Sequence, residues 1–224
     1  MNRISNSRFR LKRFSHFLDL IRFIPSNGPL KILDIGGEEE YWEDKSDLLE
    51  RHPPITLLNI RNPPPTKPYI ESIICDARCI RQIADNSFDV VHSNSVIEHA
   101  GRWEDMRAMA SEIRRVAPAY FVQTPYYWFP VEPHYNAIFF HWLPDPIRAR
   151  ILMKTRLGPN PRMTSVGDAV TTLQSAILLD KTMMKFLFPD AEIIFERALG
   201  LPKSMMAIRR GAGAEISEVK SAVA

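Results

Sequence analysis

Apolar side chains recur every three or four residues near the start of the chain. This spacing predicts an amphipathic helix over residues 8–24 that ends at Pro25. The apolar face of the predicted helix consists of Leu11, Phe14, Phe17, Leu18 and Ile21.

Short apolar runs then alternate with polar segments. Each run has the length and composition of a buried strand. Between the runs, segments near 41–51, 78–84 and 103–116 have helical character, so the alternation predicts βαβ units and a parallel sheet. The predicted strands cover residues 31–35, 55–60, 70–75, 88–93 and 120–124.

The C-terminal part has a different pattern. Residues 125–167 are rich in proline and aromatic residues and have no clear period, which favours a functional loop or lid. We expect a helix over about 170–188. Two strands follow, 192–197 and 203–209, and the tight turn between them requires an antiparallel pair.

These patterns predict an α/β protein with a Rossmann-like, doubly wound and mostly parallel sheet that ends in an antiparallel hairpin. The length of 224 residues suits one core. We therefore divide the chain into an N-terminal helical segment (1–28), one domain (29–210) with an inserted substrate or lid segment at about 125–167, and a tail (211–224) that we expect to be disordered.

Composition narrows the class of protein. The net charge of +3 comes largely from basic residues among the first 13, so charge gives no indication of nucleic-acid binding. Cys75 and Cys79 have no second cysteine pair or nearby histidine cluster, so we expect no metal site. Reduced thiols and the absence of an apolar run of 18 residues favour a cytoplasmic protein.

The basic residues beside the apolar face leave three alternatives for the N-terminal helix. It packs over the domain with its cations solvated, or it rests on an anionic membrane surface and makes the protein membrane-peripheral. The third alternative is a targeting segment, because the first 18 residues are rich in Arg and Ser and contain no acid.

Candidate binding chemistry begins where the first strand ends. Asp34, Gly36 and Gly37 stand at the position where open α/β sheets bind ligands, and glycines there let the backbone approach one closely. Three glutamates follow at 38–40. They would repel a diphosphate and attract a cationic ligand, or they only stabilise the first turn of a helix.

Asn59 ends the second predicted strand. Nucleotide-binding sheets commonly hold an acid there for the ribose hydroxyls. The amide of Asn59 can still bind a diol, but without charge. The alternative is that Asn59 is only a turn residue before Pro63.

The segment "SFDVVHSNSVIEH" at 87–99 resembles the fourth strand and following loop of the type 11 methyltransferase family. With "KILDIGG" at 31–37 and "CDA" at 75–77, the resemblance covers about residues 30–125. It implies a class I methyltransferase fold and the cofactor S-adenosylmethionine, whose sulfonium and ammonium groups suit the acidic loop. The chain lacks the family's third glycine and has the neutral Asn59.

The resemblance also implies several site residues. Asp76 and Ala77 would contact the adenine edge, although Asp76 can instead cap a helix. Ser93 and Asn94 would line the cofactor from the end of the fourth strand. His99 would lie near the methyl group or the adenosine, or else only begin the next helix.

Four aromatic residues after the fifth strand are candidate walls of an acceptor pocket; the alternative is that they cap the core. Glu132 and His134 follow, and such groups can take a proton from an attacking hydroxyl. His134 is the leading candidate for the acceptor's base and His99 the second. The aromatic residues are Tyr126, Tyr127, Trp128 and Phe129.

The expected function is therefore methyl transfer from S-adenosylmethionine to a small-molecule, glycan or lipid-linked acceptor, at an oxygen atom, with no nucleic acid as partner. An NADP-dependent oxidoreductase, with Arg61 on the 2′-phosphate, is disfavoured by the glutamates. A catalytically silent methyltransferase-like binding subunit is the other alternative. The acceptor's identity and the oligomeric state stay open.

Overall fold

The computed structural model describes residues 3–25, 28–43, 45, 55–61 and 64–211. The strands are β1 (Ile32–Ile35), β2 (Ile55–Asn59), β3 (Ile70–Ile74), β4 (Val90–Asn94), β5 (Ala119–Pro125), β6 (Val131–Glu132), β7 (Ala137–Ile138), β8 (Glu192–Ala198) and β9 (Leu201–Arg209). The helices are α1 (Arg3–Arg22), α2 (Glu39–Glu43), α3 (Trp103–Val116), α4 (Asp145–Lys154), α5 (Val166–Gln174) and α6 (Lys181–Leu187), and short 3₁₀ helices cover Ile97–His99 and Phe140–Trp142.

Seven strands form one sheet in the order β3-β2-β1-β4-β5-β9-β8. The five strands predicted first pair in parallel, and β9 pairs antiparallel with both β5 and β8. The predicted fold class is confirmed. The order reverses between β1 and β4, so the carboxyl ends of these two strands form the switch point where such sheets bind ligands.

The two faces of the sheet carry separate cores. On one face α3 buries Met106, Met109 and Ile113 against the sheet, and α6 packs beside it. On the other face α1 buries Phe17 and Leu20 against β1 and β5. The helix predicted over 103–116 has the predicted bounds, because its apolar residues follow the 3.6-residue period.

Helix α1 begins five residues before its predicted start, since residues 3–7 have no apolar repeat that would reveal them. Arg13 forms a 3.0 Å ion pair with the buried Glu196 of β8, which ties the helix to the terminal hairpin. This arrangement supports the packing alternative for the helix. Among the described residues, no helix is long and apolar enough to cross a membrane.

Two helix predictions were wrong. Residues 78–84 form turns, because the Asp76 carboxylate accepts from the Arg78 N–H (2.9 Å) and Ile80 N–H donates to Glu112 of α3 instead of to a helical carbonyl. The helix expected over 170–188 is broken into α5 and α6, since Asp180 caps a new helix start. Most of the segment predicted as helix over 41–51, and the tail from residue 212, lie outside the described residues.

The segment at 125–167 contains regular structure instead of a plain loop. It holds the β6–β7 hairpin, a 3₁₀ turn and α4. These elements and α5 enclose a small core of their own around Tyr135, Phe140, Leu152 and Leu173. The insertion therefore forms a folded layer beside the carboxyl ends of β4 and β5.

Candidate active site

The carboxyl ends of the central strands lie side by side at one edge. Gly36 N–H donates to Leu58 O of β2 (2.9 Å), and Cys75 N–H donates to Asn59 O (2.9 Å). Because β1 also pairs with β4, the ends of β3, β2, β1 and β4 form a continuous edge. The structure thus brings the motifs at 34–37, 59, 76–77 and 93–94 together.

Asp34 faces the interior and not this edge. Its side chain is 1% exposed and accepts hydrogen bonds from Trp42 Nε1 and His92 Nδ1, both at 2.8 Å. Phe17 and Phe121 pack against the His92 ring. The expectation that this carboxylate faces the ligand is corrected: Asp34 supports the loop from beneath.

The close packing of the loop over Asp34 and Val96 requires glycine at Gly36 and Gly37. Gly36 has φ +74°, and a Cβ there would lie 2.4 Å from a methyl carbon of Val96. A Cβ on Gly37 would lie 1.8 Å from Asp34 Oδ2. The glycines therefore let the loop pass close over protein atoms, which is a different reason from the one the sequence suggested.

The other motif residues also have partners within the chain. Asn59 Nδ2 donates to Gly37 O (2.7 Å), so the amide holds the first loop. Asp76 receives hydrogen bonds from the Arg78 guanidinium, with a shortest distance of 2.6 Å, and this bond lowers the pKa of Asp76. Ala77 begins the turn after β3 and is half-buried.

At the end of β4, Ser93 is fully buried and Asn94 is half-buried. Ser95 has φ +59° and is held by its backbone and hydroxyl bonds to Gln123 of β5. This turn directs the chain from the strand end into the 3₁₀ helix that carries Glu98 and His99. Of the two predicted cofactor residues here, Asn94 is the one at the edge.

The edge is suited to S-adenosylmethionine in charge and shape. Glu38 and Glu40 are exposed beside the glycine loop and can attract the cofactor's cationic groups. The Asp76–Arg78 pair is more than a third exposed, so a ligand amine can displace it at little cost. These residues fit a cofactor with two positive charges and no phosphate.

A cavity of about 560 Å³ lies between the insertion and the 175–178 segment that joins α5 to α6. Its wall includes Tyr127, Glu132 and His134 together with the apolar Ile177 and Leu178. This volume is typical of sites for small molecules. The charged residues of the same wall are Arg102, Asp105, Asp145 and Arg148.

The three predicted catalytic residues form one cluster, of which Glu132 and His134 line this cavity. Glu132 is buried in β6, accepts the Tyr135 N–H through one oxygen, and lies 2.7 Å from His134 Nδ1 through the other. His134 Nε2 lies 3.2 Å from His99 Nε2. His99 Nδ1 donates to Ser175 O at 2.7 Å. Glu132 is thus the orienting partner, and the two imidazoles face each other.

Burial and charge move the pKa values of this cluster in opposite directions. Desolvation lowers the pKa of His99. Desolvation opposes protonation of His134 as well, but the hydrogen bond and charge of Glu132 outweigh it and raise the pKa. Burial raises the pKa of Glu98 to about 7. His134 is therefore the more basic of the two imidazoles.

The four aromatic residues do not share one role. Tyr127 lines the cavity, and its carbonyl accepts from His141 Nε2 at 2.7 Å. Tyr126 packs against Phe195 at the core edge. Trp128 is 58% exposed and lies against Trp142. Phe129 is half-buried in the turn that begins at Tyr126.

Sequence reasoning missed Glu98, Ser175 and the charged cavity wall. Glu98 stands next to His99 in the "IEH" triplet, and its acidic side chain before a candidate histidine was an available signal. Ser175 gave no signal, because its backbone carbonyl and not its side chain holds His99. The broken helix that exposes this carbonyl was not apparent in the periodicity.

Comparison with known proteins agrees with this architecture. Residues 53–118 match the family model described as a methyltransferase domain. A search of curated protein sequences finds no significant match.

Solved structures with the same fold include a SAM-dependent methyltransferase of Methanosarcina mazei (15% identity, 85% of this chain and 96% of that chain, TM-score 0.52). Magnesium protoporphyrin IX methyltransferase of Synechocystis, solved with bound S-adenosylhomocysteine, is similar (12% identity, 93% and 88% covered, TM-score 0.52). So is the CMeT domain of citrinin polyketide synthase (14% identity, 91% and 52% covered, TM-score 0.53).

The strand order and the switch-point edge define a class I methyltransferase fold. Residues 53–118, which span β2 to α3, match the methyltransferase domain model, and the solved S-adenosylmethionine-dependent methyltransferase of Methanosarcina mazei shares the fold.

Proposed function

We propose that this methyltransferase transfers the methyl group of S-adenosylmethionine to an oxygen atom of a small acceptor held in the 560 Å³ cavity. The observation that carries the proposal is the Glu132–His134–His99 chain: Glu132 and His134 line the cavity, and His99 follows Asn94 at the cofactor edge by five residues. A small molecule is therefore the proposed partner.

The cofactor supplies an activated methyl carbon, and the chain's own residues position the acceptor and handle its proton. Glu132 fixes His134, which lines the cavity, with Nδ1 as donor, so Nε2 is the nitrogen that can accept a proton. An acceptor hydroxyl within hydrogen-bond reach of this nitrogen can give up its proton as it attacks. Ser175 O fixes the His99 ring in the same way, so His99 Nε2 is the second nitrogen that can accept a proton.

The cavity wall indicates what kind of acceptor fits. The lining includes both signs of charge, from Arg102, Arg148, Asp105 and Asp145. It also includes the apolar side chains of Leu173, Ile177 and Leu178. An acceptor with a hydroxyl group and mixed polarity, such as a substituted ring or a single glycan unit, suits this wall better than a purely aliphatic chain.

The experiment measures release of S-adenosylhomocysteine from S-adenosylmethionine by the full chain with a panel of cavity-sized phenols, sugars and hydroxy acids. Turnover with at least one hydroxylated acceptor is expected. His134→Gln should lower kcat by about 10²-fold or more, the usual contribution of a general base. His16→Gln on α1, which lies outside the cavity wall, is the matched control and should keep full activity. Full turnover by His134→Gln would refute the base assignment.

A catalytically silent binding subunit is the second candidate. It is favoured by one observation: Asp34, Asn59 and Asp76 all have partners within the chain. Such a protein would release no S-adenosylhomocysteine with any acceptor, and it would fail to bind S-adenosylmethionine in calorimetry. Binding without turnover would leave the cofactor site intact and restrict the failure to the acceptor.

A further inference from the structure

The tautomers of the two cavity histidines follow from their partners. Glu132 accepts a hydrogen bond from His134 Nδ1, and the Ser175 carbonyl can only accept from His99 Nδ1. Each imidazole therefore carries its proton on Nδ1 when neutral. The Nε2 atoms, which then hold lone pairs, lie 3.2 Å apart.

Two nitrogen lone pairs at this distance repel each other unless a proton or a cation lies between them. A metal ion bonded to two imidazole nitrogens at about 2.1 Å each, with the observed 3.2 Å between the nitrogens, subtends an angle of roughly 100°. This angle is close to that of tetrahedral coordination. The spacing of the pair thus matches two adjacent positions on one ion.

A third donor lies beside the pair. Glu98 is 0% exposed; its Oε2 accepts from Thr124, and its Oε1 has no hydrogen-bond partner among the described residues. A buried carboxylate oxygen without a partner is costly, and coordination to a cation would satisfy it. A Glu98 oxygen and one nitrogen each from His99 and His134 all lie within 4.8 Å of one another.

We propose that Glu98, His99 and His134 bind a divalent first-row transition-metal cation at the wall of the cavity. The donor set of two imidazoles and one carboxylate suits Zn²⁺, Mn²⁺, Fe²⁺ or Co²⁺ better than Mg²⁺ or Ca²⁺, which prefer oxygen ligands. Ligands of a four-coordinate ion lie about 3.4 Å apart, so the cluster contracts by roughly 1.4 Å at most when the ion binds.

The groups that hydrogen-bond the two histidines are arranged as they are in a metal site. Histidine ligands usually donate the other ring N–H to a carboxylate or carbonyl, which fixes the ring and raises its basicity. Glu132 has this role for His134, and Ser175 O has it for His99. Because His134 also lines the cavity, an acceptor hydroxyl bound there that reached the ion would have its pKa lowered.

Ion binding needs neither cofactor nor acceptor, so this site goes beyond the proposed methyl transfer and can be tested without it. With the ion bound, His134 Nε2 is a ligand and no longer accepts a proton, and the ion instead would lower the pKa of an acceptor hydroxyl. The site also differs from the expectation of no metal, which rested on Cys75 and Cys79 having neither a second cysteine pair nor a nearby histidine cluster. The two histidines are 35 residues apart in the sequence and reach each other only because the β6–β7 hairpin folds back over the end of β4.

The test uses the full-length chain after dialysis against a chelator. Calorimetry with Zn²⁺ should show one ion per chain, and Co²⁺ should give the visible absorption bands of a low-symmetry nitrogen and oxygen site. His99→Ala and His134→Ala should each abolish the Co²⁺ bands. Glu132→Gln, which alters only the outer partner, should weaken Zn²⁺ binding by about 10- to 100-fold.

Two controls separate this site from chance binding. His16→Ala removes a histidine outside the cavity wall and should leave Zn²⁺ binding unchanged. The double variant Cys75→Ser, Cys79→Ser removes the thiols near β3 and should also keep it. Circular dichroism checks that each variant is folded. Glu98→Gln, which keeps the shape of the side chain, is the substitute if an alanine variant unfolds.

Absence of Zn²⁺ binding by the wild-type chain would overturn the proposal, and so would equal binding by the folded His99→Ala and His134→Ala variants. Loss of binding in the cysteine variant would assign the ion to the thiols and would overturn it as well. Because methyl transfer is measured separately, its failure would not affect these results.

Discussion

Asp34 accepts hydrogen bonds from Trp42 and His92 in a position that excludes solvent. Replacing it with alanine leaves two buried donors without an acceptor. We expect Asp34→Ala to lower the free energy of unfolding by about 3 kcal/mol, because each buried donor left without an acceptor costs about 1 to 3 kcal/mol. Denaturant unfolding measures this change.

The control is Asp19→Ala on α1, where the carboxylate is 57% exposed and its Arg22 partner 72% exposed. A surface pair of this kind contributes little, so the change should stay below about 0.5 kcal/mol. If Asp34→Ala were as stable as Asp19→Ala, the buried network would not support the loop as described.

Glu112 links α3 to the turns at 78–84. Its carboxylate accepts from Arg115 Nε (3.0 Å) and from the Ile80 N–H (2.7 Å), and the Arg115 bond chiefly lowers its pKa. A lowered folded-state pKa gives stability that is present above the unfolded value of about 4.3 and is lost as pH falls through the folded value.

We therefore expect Glu112→Gln to cost about 1 kcal/mol at pH 7 and clearly less at pH 3, where the wild-type carboxyl is also becoming neutral. Urea unfolding at both pH values measures the difference. An equal loss in the free energy of unfolding at the two pH values would mean that the charge of Glu112 does not contribute to stability.

At the scale of elements, α1 contributes to the stability of the fold mainly through its buried aromatic residues. Phe17 is 0% exposed, and its ring lies 4.9 Å from the His92 ring. Phe17→Ala should lower the free energy of unfolding by about 3 to 5 kcal/mol. Leu11 on the same helix is 66% exposed, so Leu11→Ala should change it by no more than about 0.5 kcal/mol. Similar costs for both would show that α1 is not docked on the sheet.

Because the apolar side of α1 faces the sheet, the helix offers a membrane mainly its basic side chains. We expect the full chain to show no apolar insertion into anionic vesicles. Any sedimentation with vesicles at low salt should vanish at high salt, where the Debye length is short. Binding that persists at 1 M salt would indicate that α1 leaves the sheet and inserts.

Element prediction succeeded where one pattern dominated and failed where side-chain bonds interrupted it. The apolar period of α3 and the short buried strands are local features and were read correctly from the sequence. The break between α5 and α6 depends on Asp180 and on Tyr127 N–H donating to Leu179 O, a contact between residues 52 positions apart. The spacing of apolar residues in the sequence does not reveal such hydrogen bonds.

At the scale of the molecule, cofactor binding should stabilise the fold. A ligand at 100 times its Kd adds about 2.7 kcal/mol to the free energy of unfolding. We expect S-adenosylmethionine and S-adenosylhomocysteine to raise Tm, and NAD and NADP to have no comparable effect because the exposed glutamates at 38 and 40 repel phosphate. Stronger stabilisation by either dinucleotide would contradict the cofactor assignment.

The candidate site was only partly readable from the sequence. Motifs at strand ends, such as Gly36-Gly37 and Asn94, could be placed because parallel strands bring their carboxyl ends to one edge. His134 and Glu132 could be selected by residue type, but their contact with His99 depends on the β6–β7 hairpin, which has no strong local signal. The inward orientation of Asp34 depends on hydrogen bonds from Trp42 and His92, and the second of these partners is 58 residues away in the sequence.

The position of β9 between β5 and β8 governs the order in which the nascent chain can mature on the ribosome. β5 holds Tyr120, Phe121 and Val122 fully buried, yet its second neighbour is β9, about 80 residues later. Until that strand emerges, β5 is an open apolar edge of the kind that pairs with other chains. A chain truncated before residue 200 would therefore aggregate, and the sheet closes only after β9 has been synthesised.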